Sequence, residues 1–384
     1  MKNKIHFALI GLVIFSLFFP VISGAQENKA EAAIEQIMKE NPVMGLSVAV
    51  VKDNKFIYTH SFGLKDAETN TPLTNDNVFR IASISKSFSA TAIMQLAEAK
   101  KVNLDQDVSE LVGFKIRNPK FPETVITLRL MLSHLSSIND NQGYFSLDSI
   151  NPAKSANWYK CYNSYEPGKG YEYCNLNFNM IGTIIEKVSG ERFDAYIQKH
   201  ILEPLQLYGG YYVNGLDKSK FANIYEYQPD AAKFVLSPNA YAPRTAEVAA
   251  YEMGYSTPIF SPTGGMKISA KDLATYMMMH ANYGKYNGVR IISKKSSKRM
   301  QTAVSDLEPY GFALETPATI IDGISMVGHT GSAYGLFSAM FFNPSKKFGI
   351  VVISNGCHPG NSKGYNAVIK KIVNALYENL ILNN

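Results

Sequence analysis

Apolar positions fall into three regimes along this chain. At the start, Glu27 to Glu40 carries apolar and polar residues at the spacing of a short amphipathic helix, ending before Asn41-Pro42. Two runs then read as strands, Gly45 to Val51 and Phe56 to Phe62, with Lys52-Asp-Asn-Lys55 as their turn. The first run is almost wholly apolar or small, which predicts a strand inside a sheet. Thr71 to Asn77 is a loop, and the chain then turns helical. Ile84, Phe88, Ala92, Leu96 and Ala99 recur near the helical period, so Arg80 to Leu96 reads as a helix.

From about 84 to 250 the pattern is mainly helix and loop. Leu128 to His134 reads as helical. Leu176 to Val188 places Met180, Ile181, Ile184, Ile185 and Val188 on one face, with Gly190 as its stop. Phe193 to Leu202 is a further helix, ended by Pro204. Tyr208 to Gly265 shows little periodicity and eight tyrosines, as a surface excursion or a cleft wall would. Ser269 starts a helix that runs through His280. The third regime is strands: Tyr310 to Leu314, Ser325 to Thr330, Gly335 to Asn343 and Phe348 to Asn355, with Pro344 to Lys347 as a hairpin turn. Asn361 to Leu382 reads as a closing amphipathic helix with Tyr365, Val368, Ile369, Ile372, Val373 and Leu376 inward. Strands first and last with helices between predict an α/β (α+β) protein. The terminal strands share one antiparallel sheet flanked by the terminal helices, and a helical insertion packs beside it. The expected partition is a sheet subdomain at about 26–82 and 265–384 and a helical and loop subdomain at about 83–264.

Composition sharpens this. The 384 residues are 46% hydrophobic and 18% charged, a globular balance with room for a large core. The net charge of +6 involves no long Lys/Arg run, which gives no support to a nucleic-acid partner. Residues 1–25 have the form of a secretory leader: Lys2 and Lys4, an apolar run from Phe7 to Phe19, and Ser23-Gly-Ala25 before a cut ahead of Gln26. The apolar run is short for a membrane span and no later stretch is long and apolar enough. The expected mature protein is therefore residues 26–384, exported (periplasmic or secreted) and not membrane-spanning. Export permits disulfides, and Cys161 and Cys174, close in a loop-rich region, could pair, leaving Cys357 free. No Cys/His spacing suits zinc, and neither a metal nor an organic cofactor is expected.

The candidate chemistry starts at Arg80-Ile-Ala-Ser83-Ile-Ser-Lys86, which contains the only Ser-x-x-Lys in the chain. Three residues apart on a helix, the two side chains share one face. A serine hydroxyl needs a base to become nucleophilic, and a lysine serves only if burial or a nearby cation lowers its pKa. A second element is Tyr173-Cys-Asn175, just ahead of the Leu176 helix, where Asn175 would also suit a cap. A third is Gly328-His329-Thr330-Gly331, entering a strand.

In order and spacing these three elements resemble the serine β-lactamase and penicillin-binding superfamily, and within it the class C branch with its D-alanyl-D-alanine carboxypeptidase, D-amino-acid peptidase and esterase relatives. Met131-Leu-Ser-His-Leu-Ser136, Glu203-Pro-Leu205, Gly264-Gly-Met266 and Ala270-Lys-Asp-Leu273 extend the resemblance over roughly residues 30–380. It implies the β-lactamase-like fold, with Ser83 at the seam of the two subdomains. By resemblance Ser83 is the nucleophile, and Lys86 and Tyr173 form a coupled pair in which Tyr173 takes or relays the serine proton. Asn175 would hold Lys86 and the substrate amide, and the backbone N–H groups of Ser83 and Ser332 would form the oxyanion hole. His329, Thr330 and Gly331 would face Tyr173 across the cleft, His329 and Thr330 meeting a substrate carboxylate or polar tail.

This chain departs from the pattern in three places. His329 stands where the best-known β-lactamases carry Lys, which removes a permanent positive charge at neutral pH. Cys174 stands where Ser or Ala is usual. His134-Leu-Ser-Ser137 lacks the glycine that ends the family's His-Thr-Ser-Gly stretch. No Glu-x-x-Leu-Asn and no Gly-x-Ser-x-Gly occurs, against the class A deacylation route and the α/β-hydrolase route. The expected function is an exported serine hydrolase acting on small amides or esters, D-amino-acid peptides among them. The alternatives are a class C β-lactamase and a non-catalytic binder of cell-wall peptides. In each case the partner is a small molecule or short peptide.

Overall fold

A computed structural model describes residues 24–382. In chain order its main elements are α1 (Gly24–Glu40), β1 (Val43–Lys52), β2 (Lys55–Asp66), β3 (Thr71–Pro72), β4 (Phe79–Arg80), α2 (Ser85–Glu98), α3 (Asn175–Ser189), β5 (Gly209–Gly210), β6 (Lys267–Ile268), α4 (Ala270–Ala281), β7 (Glu315–Ile321), β8 (Ile324–Ala333), β9 (Leu336–Asn343), β10 (Phe348–Cys357) and α5 (Ala367–Tyr377). The predicted leader, residues 1–25, lies outside the described residues apart from Gly24 and Ala25, which open α1. No described helix is long and apolar enough to cross a membrane.

Seven strands form one antiparallel sheet in the order β7-β8-β9-β10-β1-β2-β3. The composition of β1 follows from its place near the middle. Leu46, Val48 and Val50 point to one face, into a core shared with Val368, Ile372 and Leu376 of α5 and Ile34 of α1. Ala49 and Val51 point to the other face, into a larger core with Met277 of α4 and Phe88 of α2. A strand covered on both faces needs apolar side chains at every position rather than at every second one. The β1–β2 turn places Asp53 and Asn54 at positive φ, residue types that tolerate it well.

Two expectations at element level need correction. Tyr310 to Leu314 is not a strand. The strand is Glu315–Ile321, an edge strand of the sheet, and the edge position is what lets it contain Pro317. The closing helix does not begin at Asn361. Asn361–Ser362 and Tyr365–Asn366 pair as a small hairpin around Lys363 and Gly364, both at positive φ. Asn366 then caps the helix, its side chain accepting from Val368 N and Ile369 N, each at 3.0 Å. Within the segment 208–265 lies β5, and Tyr225–Gln228 pairs with Lys233–Leu236. With β4 and β6, β5 forms a three-stranded sheet. That small sheet ends one residue before the turn that carries Ser83, so it fixes the approach to the site.

Candidate active site

Ser83 sits in a tight turn, Ala82–Ile84, that runs straight into α2. Ala82 just before it adopts a left-handed φ of 46°, a strained conformation for a side chain with a Cβ. The turn is pinned from several sides. Ile81 N donates to Met266 O at 3.0 Å, Met266 N donates to Ser85 Oγ at 3.0 Å, and Ser338 Oγ donates to Ile81 O at 3.0 Å. Strand β8 passes so close that a Cβ on Gly331 would collide with Ile81 O and Ser338 Oγ. A glycine at 331 is the steric condition for bringing Thr330 and Ser332 beside Ser83.

Lys86 is wholly buried, and its Nζ has three neighbours: Ser83 Oγ at 3.1 Å, Asn175 Oδ1 at 2.9 Å and Thr263 O at 3.0 Å. Burial lowers its pKa to about 7, against the nearby Asp140 charge, which acts to raise it. Two of its three neighbours are oxygens that can only accept. A neutral amine there gives its two hydrogens to Asn175 and Thr263, which leaves its lone pair for the Ser83 hydroxyl.

The orientation of Asn175 is set by Asp140. Asp140 Oδ2 accepts from Asn175 N and Nδ2, both at 2.9 Å, and Oδ1 accepts from Leu176 N at 2.9 Å. The amide oxygen of Asn175 therefore turns toward Lys86, where Thr263 Oγ1 also donates to it at 2.8 Å. Asp140 caps α3 from a distance, placing an anion at the helix N-terminus. Sequence reasoning missed Asp140 and Thr263. Neither lies in a motif, and each reaches the site through a fold-level contact.

Tyr173 joins the pair from above, its ring centroid 4.7 Å from Lys86 Nζ. Its hydroxyl is buried and makes no well-formed hydrogen bond among the described residues. Burial pushes the phenol far above its usual pKa, with the close Ser83 hydroxyl opposing in part, so Tyr173 is a neutral phenol. His134 packs on the Tyr173 ring at 4.3 Å and accepts from Cys174 N at Nδ1, 3.0 Å. Ser137, where the family glycine is missing, adopts a left-handed φ of 64°. Its hydroxyl compensates by donating to Tyr165 O at 2.5 Å and accepting from Asn118 Nδ2 at 2.9 Å.

His329 faces Tyr173 with ring centroids 6.1 Å apart. It is 3% exposed, and burial, with the Lys86 charge, lowers its pKa to about 3. Nδ1–H donates to Thr330 O, so Nε2 accepts from the Tyr310 hydroxyl at 2.9 Å. The imidazole is neutral and both nitrogens are engaged. Tyr310, the residue that holds it, carried no signal in the sequence. The possible Cys161–Cys174 bond is absent: both are free, buried thiols. Cys161 Sγ donates to Ser149 O and Cys174 Sγ to Asp140 Oδ1, each at 3.3 Å.

Ser83, Tyr173, His329, Thr330 and Ser332 line one cleft of about 500 Å³. A second cleft of about 350 Å³ is lined by Arg80, Lys267, Arg244, Tyr212 and Tyr334; residues 208–265 form much of its wall. The arrangement offers a nucleophile, a base with a depressed pKa, a neutral proton donor and a strand edge, which is what acyl transfer requires.

The chain is similar to several known proteins. The sequence model of the family described as Beta-lactamase matches residues 30–374. Protein flp of Staphylococcus aureus (strain MRSA252) is 24% identical over 348 residues, which cover 87% of this chain and 64% of that protein. This chain thus spans somewhat less than two thirds of that curated relative. Among solved structures, the octameric penicillin-binding protein homologue from Pyrococcus abyssi superposes with a TM-score of 0.73 at 28% identity, over 92% of this chain and 77% of that one. The D-amino acid amidase from Ochrobactrum anthropi SV3 shares the fold, with a TM-score of 0.71 at 19% identity over 92% and 99% of the two chains.

Proposed function

This chain belongs to the beta-lactamase family, and from that premise we propose that it is an exported serine hydrolase that forms an acyl-enzyme on Ser83 with small amides or esters, D-amino-acid peptides among them. The observation that carries the reading is the placement of Lys86 Nζ, 3.1 Å from Ser83 Oγ with its two remaining directions taken by pure acceptors. Ser83 Oγ attacks the carbonyl carbon as its proton passes to Lys86. The backbone N–H groups of Ser83 and Ser332 receive the developing oxyanion. Lys86 then returns the proton through the Tyr173 hydroxyl to the departing oxygen or nitrogen, the C–O or C–N bond breaks, and the acyl group stays on Ser83. Water enters by the same route in reverse and frees the acid. This assigns Lys86 as the base and Tyr173 as the relay, because burial favours the neutral form of both.

The β-lactamase alternative loses ground at His329, since a neutral and fully engaged imidazole offers a β-lactam carboxylate no cation. Steady-state assays separate the readings. We expect turnover of a small p-nitrophenyl ester and of a D-alanyl anilide, both lost in Ser83→Ala, with slow or no turnover of a chromogenic cephalosporin. Cephalosporin hydrolysis faster than either would overturn the assignment. Binding of a peptide with no product from any of the three would favour the cell-wall peptide binder.

A further inference from the structure

The cleft lined by Ser83 and Tyr173 is lined as well by Glu308, Glu315, Thr319 and Tyr365. Its charge is one-sided. Lys363 is the only cation among the lining residues, and its ammonium pairs with Asp322 at 3.1 Å, which lies outside the cleft. The cations Arg80, Arg244 and Lys267 line the second cleft instead. Glu315 accepts one hydrogen bond, from the Tyr365 hydroxyl at 3.0 Å, and no other among the described residues. No cation meets either Glu308 or Glu315 in an ion pair among the described residues. Tyr171 and Tyr310 add aromatic faces to the lining. In the same cleft the Tyr173 hydroxyl is buried with only the Ser83 hydroxyl close to it among the described residues.

An anion entering here would meet two carboxyl groups and a neutral His329. A cation would meet an unpaired carboxylate and tyrosine rings. Burial, with Glu308 adding to it, raises the Glu315 pKa to about 7, so an incoming ammonium and the ionised carboxyl would each stabilise the other. Tyr173 delivers the proton to the departing group in the acyl-transfer reading above, and the present inference rests on that reading: Glu315 shares the cleft with Tyr173 and its charge reaches it, so a departing group that takes the proton from Tyr173 comes near Glu315.

We propose that Glu315, flanked by Glu308, forms a cation subsite of the Ser83 cleft, and that the enzyme prefers amides and esters whose departing group carries a primary ammonium over those carrying a carboxylate. Three phenyl acetates test this, with para-aminomethyl, para-hydroxymethyl and para-carboxymethyl groups, in which the charge is insulated from the ester. At pH 8 the wild type should favour the ammonium ester over the carboxylate ester by about tenfold or more in kcat/KM. Glu315→Gln should lower the ammonium-to-hydroxyl ratio at least several-fold, and Glu308→Gln should lower it less. The wild-type series stands even if a variant fails to fold. Hydrolysis of all three esters without preference, or with preference for the carboxylate, overturns this inference alone, as does an unchanged ratio in Glu315→Gln. Hydrolysis of none of them overturns the acyl-transfer reading and this inference with it.

Discussion

Lys86 has two oxygens that can only accept beside it, so in the proposed mechanism its protonation state decides whether Ser83 has a base. With a pKa near 7, Lys86 is protonated in acid and neutral above. The base form is the neutral one, so kcat/KM for an uncharged ester should be flat above about pH 7 and fall roughly tenfold per unit below it. A profile flat down to pH 5 would contradict Lys86 as the base. Asp140 tests the residues behind it. Its charge acts to raise the Lys86 pKa, so Asp140→Asn should move the acid limb to lower pH while also lowering the rate, because Asn175 loses the acceptor that orients it. A lower rate with an unmoved limb would mean that Asp140 only supports the fold. The motif residues were legible in the sequence because Ser83 with Lys86 and Tyr173 with Asn175 are each joined by a single turn or less of chain. Asp140, Thr263, Tyr310 and Glu315 were not, because each arrives from a loop or strand end whose position only the tertiary fold sets.

Strand β8 is the element that completes the site, and its contact with the Ser83 turn leaves no room for a side chain at 331. Gly331→Ala places a methyl group against the carbonyl of Ile81, which is backbone and cannot swing aside. We expect a loss of about 1–3 kcal/mol in stability together with a large fall in kcat/KM, read by thermal unfolding and ester hydrolysis. A variant with wild-type values for both would contradict the close approach. The long strands and helices were legible for ordinary reasons. Leu176 to Val188 shows helical periodicity and a terminal glycine, and α3 ends at Gly190 in the left-handed conformation. The missed elements broke a local rule with a structural licence: β7 contains Pro317 because it is an edge strand, and α5 starts late because Lys363 and Gly364 turn the chain first. The free thiols of Cys161 and Cys174 show the limit of sequence proximity, since closeness along the chain did not make the two sulfurs partners.

At the scale of the molecule, the sheet separates two cores. One lies under α1 and α5, and the other joins α2, α3 and α4 around the site. Ile372 lies in the first, fully buried, on the face of the sheet away from Ser83. Ile372→Ala should cost about 2–5 kcal/mol of stability with little change in kcat/KM below the unfolding temperature. A large kcat/KM loss in folded protein would show that the two faces of the sheet are coupled. The acyl-enzyme on Ser83 is the claim on which the rest depends, and intact-protein mass after incubation with a fluorophosphonate tests it most directly. The account predicts one adduct in the wild type, mapped to the peptide carrying Ser83 and absent from Ser83→Ala. No adduct, or an adduct that survives Ser83→Ala, would contradict it.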